Sequence, residues 1–129
     1  MTPTARTLSE LRRLGYLAAV VETWIPRIER RRDLFGIADV LAVHPRDKAV
    51  LLVQATSAGH VQDRLRRVQA RPETAVLLRA GLAVEVWGWR RLDGRWHCRR
   101  VAVRPGDLAA VVLSRLGRRR KQKEQPTLF

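Results

Sequence analysis

Two apolar runs near the middle of the chain, Leu34 to Val43 (LFGIADVLAV) and Ala49 to Ala55 (AVLLVQA), do most to limit what this sequence can become. They are joined through the turn-like His44-Pro45-Arg46-Asp47 and read as neighbouring strands of one sheet. Neither approaches the ~20 residues that a membrane span needs. Each carries a single polar interruption, Asp39 in the first and Gln54 in the second.

Helical and strand-like segments alternate around this pair. Thr7 to Gly15 reads as a short helix, with Thr7 as cap, Glu10 as its capping-box partner and Leu8, Leu11 and Leu14 on one face. Tyr16 to Trp24 is rich in β-formers and predicts a strand ended by Pro26. Arg27 to Arg32 reads as an exposed loop or edge. After Gly59 the period becomes helical, with Val61, Leu65 and Val68 on one face and Arg64, Arg66, Arg67 and Arg71 elsewhere. Pro72-Glu73 restarts a short helix that ends before Gly81. Leu82 to Arg90 and Arg95 to Val103 predict a hairpin turning at Asp93-Gly94. Trp87 and Trp89 share one face of it, where core packing is the first expectation and base stacking the second. A last helix is expected from Asp107 as N-cap, carrying Leu108, Val111, Val112 and Leu116. The order of elements predicts an α/β domain over residues 1–117, followed by a basic flexible tail over 118–129.

Charge narrows the partner. The 129 residues hold 26 Lys+Arg against 12 Asp+Glu, a formal net charge of +14. Self-repulsion of that size opposes compactness, so a polyanion is the expected partner. Nearly all of the positive charge is arginine, whose planar fork suits phosphate oxygens and guanine edges; the lysines are Lys48, Lys121 and Lys123. Nucleic acid is therefore expected at Arg30, Arg31, Arg32, Arg64, Arg66, Arg67, Arg71, Arg118, Arg119 and Arg120. A lone Cys98 excludes an internal disulfide framework, and Arg6, Glu10, Arg12 and Arg13 interrupt any signal-peptide core, so a cytoplasmic protein is expected.

Asp39 and Gln54 are the positions where chemistry is expected. A carboxylate inside an apolar strand is costly unless it is paired or binds a cation. Asp39, the Gln54 side-chain oxygen and a backbone carbonyl could together hold a divalent ion able to activate water or stabilise a phosphoryl transition state. Alternatively, Asp39 could cap or pair locally with Arg46 or another arginine, and Gln54 could satisfy a sheet edge.

The series helix with Glu, strand, RRDLFGIADVLAV, turn, VLLVQATS and basic helix resembles the PD-(D/E)XK nuclease superfamily, in its Holliday-junction-resolvase-like and phage-type branch. The resemblance spans about Leu8 to Arg71 together with the following hairpin, and implies a restriction-endonuclease-like mixed central sheet flanked by helices, with Mg²⁺ or Mn²⁺ as cofactor. It implies that Asp39 is the metal-binding aspartate, that Gln54 stands where the family has Glu or Asp, and that Thr56 stands where it has the catalytic lysine. Ala55 would offer its carbonyl to the ion, Glu10 matches the first-helix glutamate, and Glu22 is a weaker candidate for that role. Asp33 reads as a surface ion pair with its flanking arginines. Gln lacks the charge of a carboxylate and Thr the charge of Lys, so Arg64 or Arg67 would supply the cation. The expected activity is a metal-dependent DNA endonuclease; a catalytically inactive DNA-binding accessory is the alternative.

The final Gln125-Pro126-Thr127-Leu128-Phe129 resembles the short motif by which bacterial replication and repair proteins dock on the DNA sliding clamp. Gln125, Leu128 and Phe129 would make that contact, with the charged tether raising local concentration on DNA. Resolvase-like members often pair, and the apolar stretch from Leu108 to Leu116 could form a homodimer contact.

Overall fold

The computed structural model describes residues 1–47 and 49–108. The expected last helix beyond Leu108, the domain boundary at 117/118, the basic residues Arg118 to Arg120 and the clamp-like Gln125, Leu128 and Phe129 lie outside them. Within them the chain is α/β, with a five-stranded mixed sheet flanked by helices.

Helix α1 spans Pro3–Arg13, starting earlier than expected. Thr2, not Thr7, is the N-cap: its hydroxyl accepts the Ala5 N–H at 3.1 Å, and Pro3 follows at the first helical position. Thr7 is instead buried and accepts a 2.9 Å hydrogen bond from Trp89 Nε1. The expected first strand breaks in two, β1 (Leu17–Val20) and β2 (Thr23–Ile25). After Pro26 the basic stretch returns as β3 (Arg30–Arg32), and β2 and β3 form a separate antiparallel ribbon.

The expected strand Leu34–Val43 is extended only at its end, as β4 (Val40–Val43). Residues 34–38 form a tight turn in which Leu34 bridges Ala38, with left-handed backbone at Phe35 (φ 56) and Gly36 (φ 69). Chain then continues through β5 (Leu51–Ser57), α2 (Val61–Ala70), α3 (Pro72–Arg79), β6 (Ala83–Leu92) and β7 (Arg95–Val103). The sheet order is β1-β4-β5-β6-β7. Only β5 and β6 are parallel, as strands joined by a helical crossover must be to stay adjacent and same-sensed.

Alternation along the strands sorts side chains to two faces. Leu11 of α1 packs with Ala18, Val40, Ala42, Leu51, Val53, Trp87 and Trp89 on one face, so both tryptophans belong to the core. Leu52, Val84 and Val86 meet Val61, Leu65 and Val68 of α2 on the other. Leu108 joins this second core, and the rest of the stretch named for a dimer contact lies outside the described residues. Asp107 ends a 3-10 turn, Pro105–Asp107, and its carboxylate accepts the Arg104 N–H at 2.9 Å. Gly88 sets how closely α2 sits on the sheet: a methyl group there would collide with Val61 Cγ2 and press on Ala58 Cα at 3.1 Å.

Candidate active site

The break between β1 and β2 and the turn before β4 bring three acidic residues to one place. Val21 N–H donates to the Asp39 carbonyl at 2.8 Å, which sets Glu22 beside Asp39 as the chain leaves the sheet. The turn at 34–38 doubles the chain back, so Asp33 also returns to Asp39. One oxygen from each of Glu22, Asp33 and Asp39 lies within 4.8 Å of the others. Asp33 is thus part of this cluster rather than a surface ion pair. A fully extended 33–39 segment would have held the two aspartates roughly 20 Å apart.

Asp39 is 5 % exposed. Its Oδ2 accepts two hydrogen bonds, from Gln54 Nε2 and from the Ala55 N–H, both at 2.8 Å. The two polar interruptions therefore meet on one face of the sheet, and no pairing with Arg46 forms; the Arg46 N–H donates to His44 Nδ1. Gln54 presents its amide nitrogen to Asp39 and so positions that carboxylate. Burial, then the hydrogen bond and charge of Asp33, and the charge of Glu22 push the Asp39 carboxyl up to about 8, against the opposing pull of the Ala55 N–H.

Around the cluster is a pocket of about 470 Å³, lined also by Arg31 and Arg32 of β3 and by Arg64, Arg67 and Arg71 along α2. The spacing 64, 67, 71 keeps one helical stripe. The adjacent stripe, Val61, Leu65 and Val68, enters the core, so a single helix anchors itself and faces the pocket with cations. Arg71 lies over Gly36, where any side chain would strike its guanidinium, and its Nε bonds Glu73 at 3.1 Å. Arg30 and Arg66 are exposed outside the pocket, Arg66 facing Asp63 at 3.9 Å.

Two expected members are placed elsewhere. Glu10 bonds Arg13 Nε at 2.9 Å and reaches Arg100 at 3.5 Å on the α1 side of the sheet. These pairings hold its carboxyl below the usual carboxylate range. Thr56 shares the face of Gln54 but is buried, paired in register with Gly88 beneath the 58–61 turn, and does not line the pocket. Ala55 lines it, with its N–H held by Asp39.

The donor set fits a hard divalent cation. Three carboxylates suit Mg²⁺ or Mn²⁺, which prefer oxygen ligands. Like charges at this separation repel by roughly 3 kcal/mol per pair at an effective dielectric near 20, a cost that a bound cation would reverse. Among the described residues no helix is long and apolar enough to cross a membrane. Compared with family models, with curated proteins and with solved structures, the chain has no match.

Proposed function

We propose that this protein is a metal-dependent DNA endonuclease of the resolvase-like kind, acting in DNA replication, recombination or repair. The observation that carries the reading is the Glu22, Asp33 and Asp39 cluster walled by arginines from two separate elements. Few chemistries need a carboxylate cluster and a cationic rim in one pocket; phosphodiester hydrolysis needs both. The observed strand order also suits the nuclease resemblance, with an antiparallel β1-β4-β5 series followed by a helical crossover to a parallel β6.

Asp39, Asp33 and Glu22 would hold Mg²⁺ or Mn²⁺, which when bound supplies Lewis acidity and lowers the pKa of a coordinated water. Gln54 and the Ala55 N–H fix the Asp39 carboxyl in place. Asp39 must give up its proton before it can serve as a ligand, so its raised pKa couples activity to pH. Arg64 and Arg67 stand where a phosphate entering the pocket would meet them, and substitute for the positive charge that Thr56 lacks. Arginine keeps its proton, so they would bind and neutralise rather than transfer protons. The Gln125-Leu128-Phe129 tail would recruit the domain to the sliding clamp.

The accessory reading, a domain that binds DNA without cutting it, draws support from Gln54 and Thr56 standing in place of charged residues. A cleavage panel separates the two. Linear, nicked and four-way branched DNA are incubated with the full chain and Mg²⁺ or Mn²⁺. Cleavage of at least one substrate, lowered about a hundredfold or more by Asp39→Ala, supports the enzyme. Tight binding with no cleavage in either metal leaves the accessory. Deleting residues 125–129 should abolish clamp binding while cleavage of free DNA persists.

A further inference from the structure

The hairpin β6–β7 runs past the rest of the sheet. Its pairing with β5 ends at Ser57↔Trp89, while its own ladder continues through Arg90↔His97, Arg91↔Trp96 and Leu92↔Arg95. Every residue from Arg90 to His97 is exposed. Asp93 is the only acidic residue between Trp87 and Arg104, against Arg90, Arg91, Arg95, Arg99 and Arg100. The register sets no arginine directly opposite another, as Arg90 faces His97, Arg91 faces Trp96 and Arg95 faces Leu92, yet the exposed ribbon carries a large excess of positive charge.

The two faces of this ribbon differ. On the α1 side, Trp89 Nε1 donates to Thr7, and Arg6 stacks on Trp96 with its guanidinium 3.5 Å from the ring centroid. Arg100 lies over Trp87 at 4.2 Å and reaches Glu10. Those contacts brace the hairpin from behind. On the α2 side, Gly88, Arg90, His97 and Arg99 line an open groove of about 370 Å³ together with Ala58 and Cys98. Gly88 and Ala58 mark the end where the start of α2 closes it. Among the described residues Arg90, Arg95 and Arg99 take part in no ion pair.

We infer that this groove is a second phosphate-binding site, in which Arg90, His97 and Arg99 grip the backbone of a nucleic-acid strand whose scissile region lies at the acidic pocket. The groove opens on the same sheet face as that pocket. Three strand spacings, roughly 14 Å, separate β4, which Asp39 directly precedes, from β7, close to the ~12 Å width of a major groove. The position of the strand rests on the nuclease reading; the binding itself does not. With its backbone braced from the α1 side, the hairpin needs little backbone ordering on binding, and only its free arginine side chains are immobilised.

The test reads binding, so it stands apart from cleavage. Anisotropy of a labelled duplex and a labelled four-way junction is followed in EDTA across a salt series, using the full chain. For Arg90→Gln/Arg99→Gln the affinity should fall about tenfold or more, and the log–log salt slope should become shallower by about 1.8, at ~0.9 per lost phosphate contact. Arg90→Lys/Arg99→Lys should keep the slope. Arg46→Gln/Arg79→Gln, removing equal charge from other exposed positions, should change affinity less than about threefold. Equal effects of the two glutamine pairs would overturn the inference. Amide exchange of the unaltered protein gives a readout that no folding defect can confound: residues 95–99 should gain protection on adding duplex, and no gain would equally defeat the site.

Discussion

The two faces of the central sheet each bury polar groups, and they do so in opposite ways. On the α1 face, Thr7 and the Trp89 indole satisfy each other at 2.9 Å among Leu11, Val53 and Trp87. Donor meets acceptor, and the pair ties a helix to a strand 82 residues later. On the α2 face, Asp39 is just as deeply placed, yet it faces two further carboxylates as well as its amide partners. The first arrangement lowers the free energy of the fold; the second raises it unless a proton or a cation intervenes. Buried polarity of the first kind is architecture. The second kind carries a cost that folding by itself does not repay.

The contrast is broken most strongly at Asp39. In the folded chain this group holds its proton up to about pH 8, whereas unfolded it ionises near its ordinary value of 3.8. Its contribution to stability is therefore complete below the unfolded value and is lost as pH rises through the folded one. Melting temperature should fall between about pH 4 and pH 8, an effect on the order of several kcal/mol, and Asp39→Asn should flatten that fall. Millimolar Mn²⁺ should raise the melting temperature of the unaltered protein at pH 8 more than at pH 5, and should leave Asp39→Asn unmoved. A melting temperature indifferent to both pH and metal would remove the strained cluster.

Next in size is Gly88→Ala, which forces a methyl group against Val61 and Ala58 and should cost about 1–3 kcal/mol in a denaturant melt. Because Val61 starts the helix that carries Arg64 and Arg67, DNA binding should weaken with it. Thr7→Val leaves the Trp89 N–H buried without a partner, at about 1–3 kcal/mol, but cleavage per folded molecule should stay unchanged. A cleavage defect in Thr7→Val beyond its folding loss would show that the two faces are coupled. Smallest of all is Glu10→Gln. Its partners Arg13 and Arg100 are solvent-facing, so stability should move by less than about 1 kcal/mol and metal-dependent cleavage not at all. Loss of cleavage in that variant would restore Glu10 to the site.

Much of this was legible from local pattern. Val61, Leu65 and Val68 recur at helical spacing and do pack inward, and Asp93-Gly94 forms the expected hairpin turn with positive φ at both residues. Asp39 and Gln54 stood out because a polar side chain inside an apolar run needs a partner, and each proved to be the other's. Asp33 read as a surface ion pair and Glu22 only as a weaker stand-in for the first-helix glutamate, because Phe35-Gly36 lies inside an otherwise strand-like run. The glycine was the available signal: followed by apolar residues, it permits a left-handed turn that shortens the distance between positions 33 and 39. Glu10 misled for a related reason. Helical spacing assigns it a stripe, yet which side of the sheet α1 covers depends on contacts far along the chain.

What the sequence determined by itself was the class of fold, the basic character of the surface and the pair Asp39 and Gln54, since periodicity, charge and burial cost are properties of neighbouring residues. Only the tertiary structure decided that Glu22 and Asp33 complete the cluster, that Glu10 and Thr56 stand outside the pocket, and that, among the described residues, no helix covers one face of the hairpin tip. Those outcomes follow from turns, crossovers and close approaches between segments distant in the chain, and no local pattern carries that information.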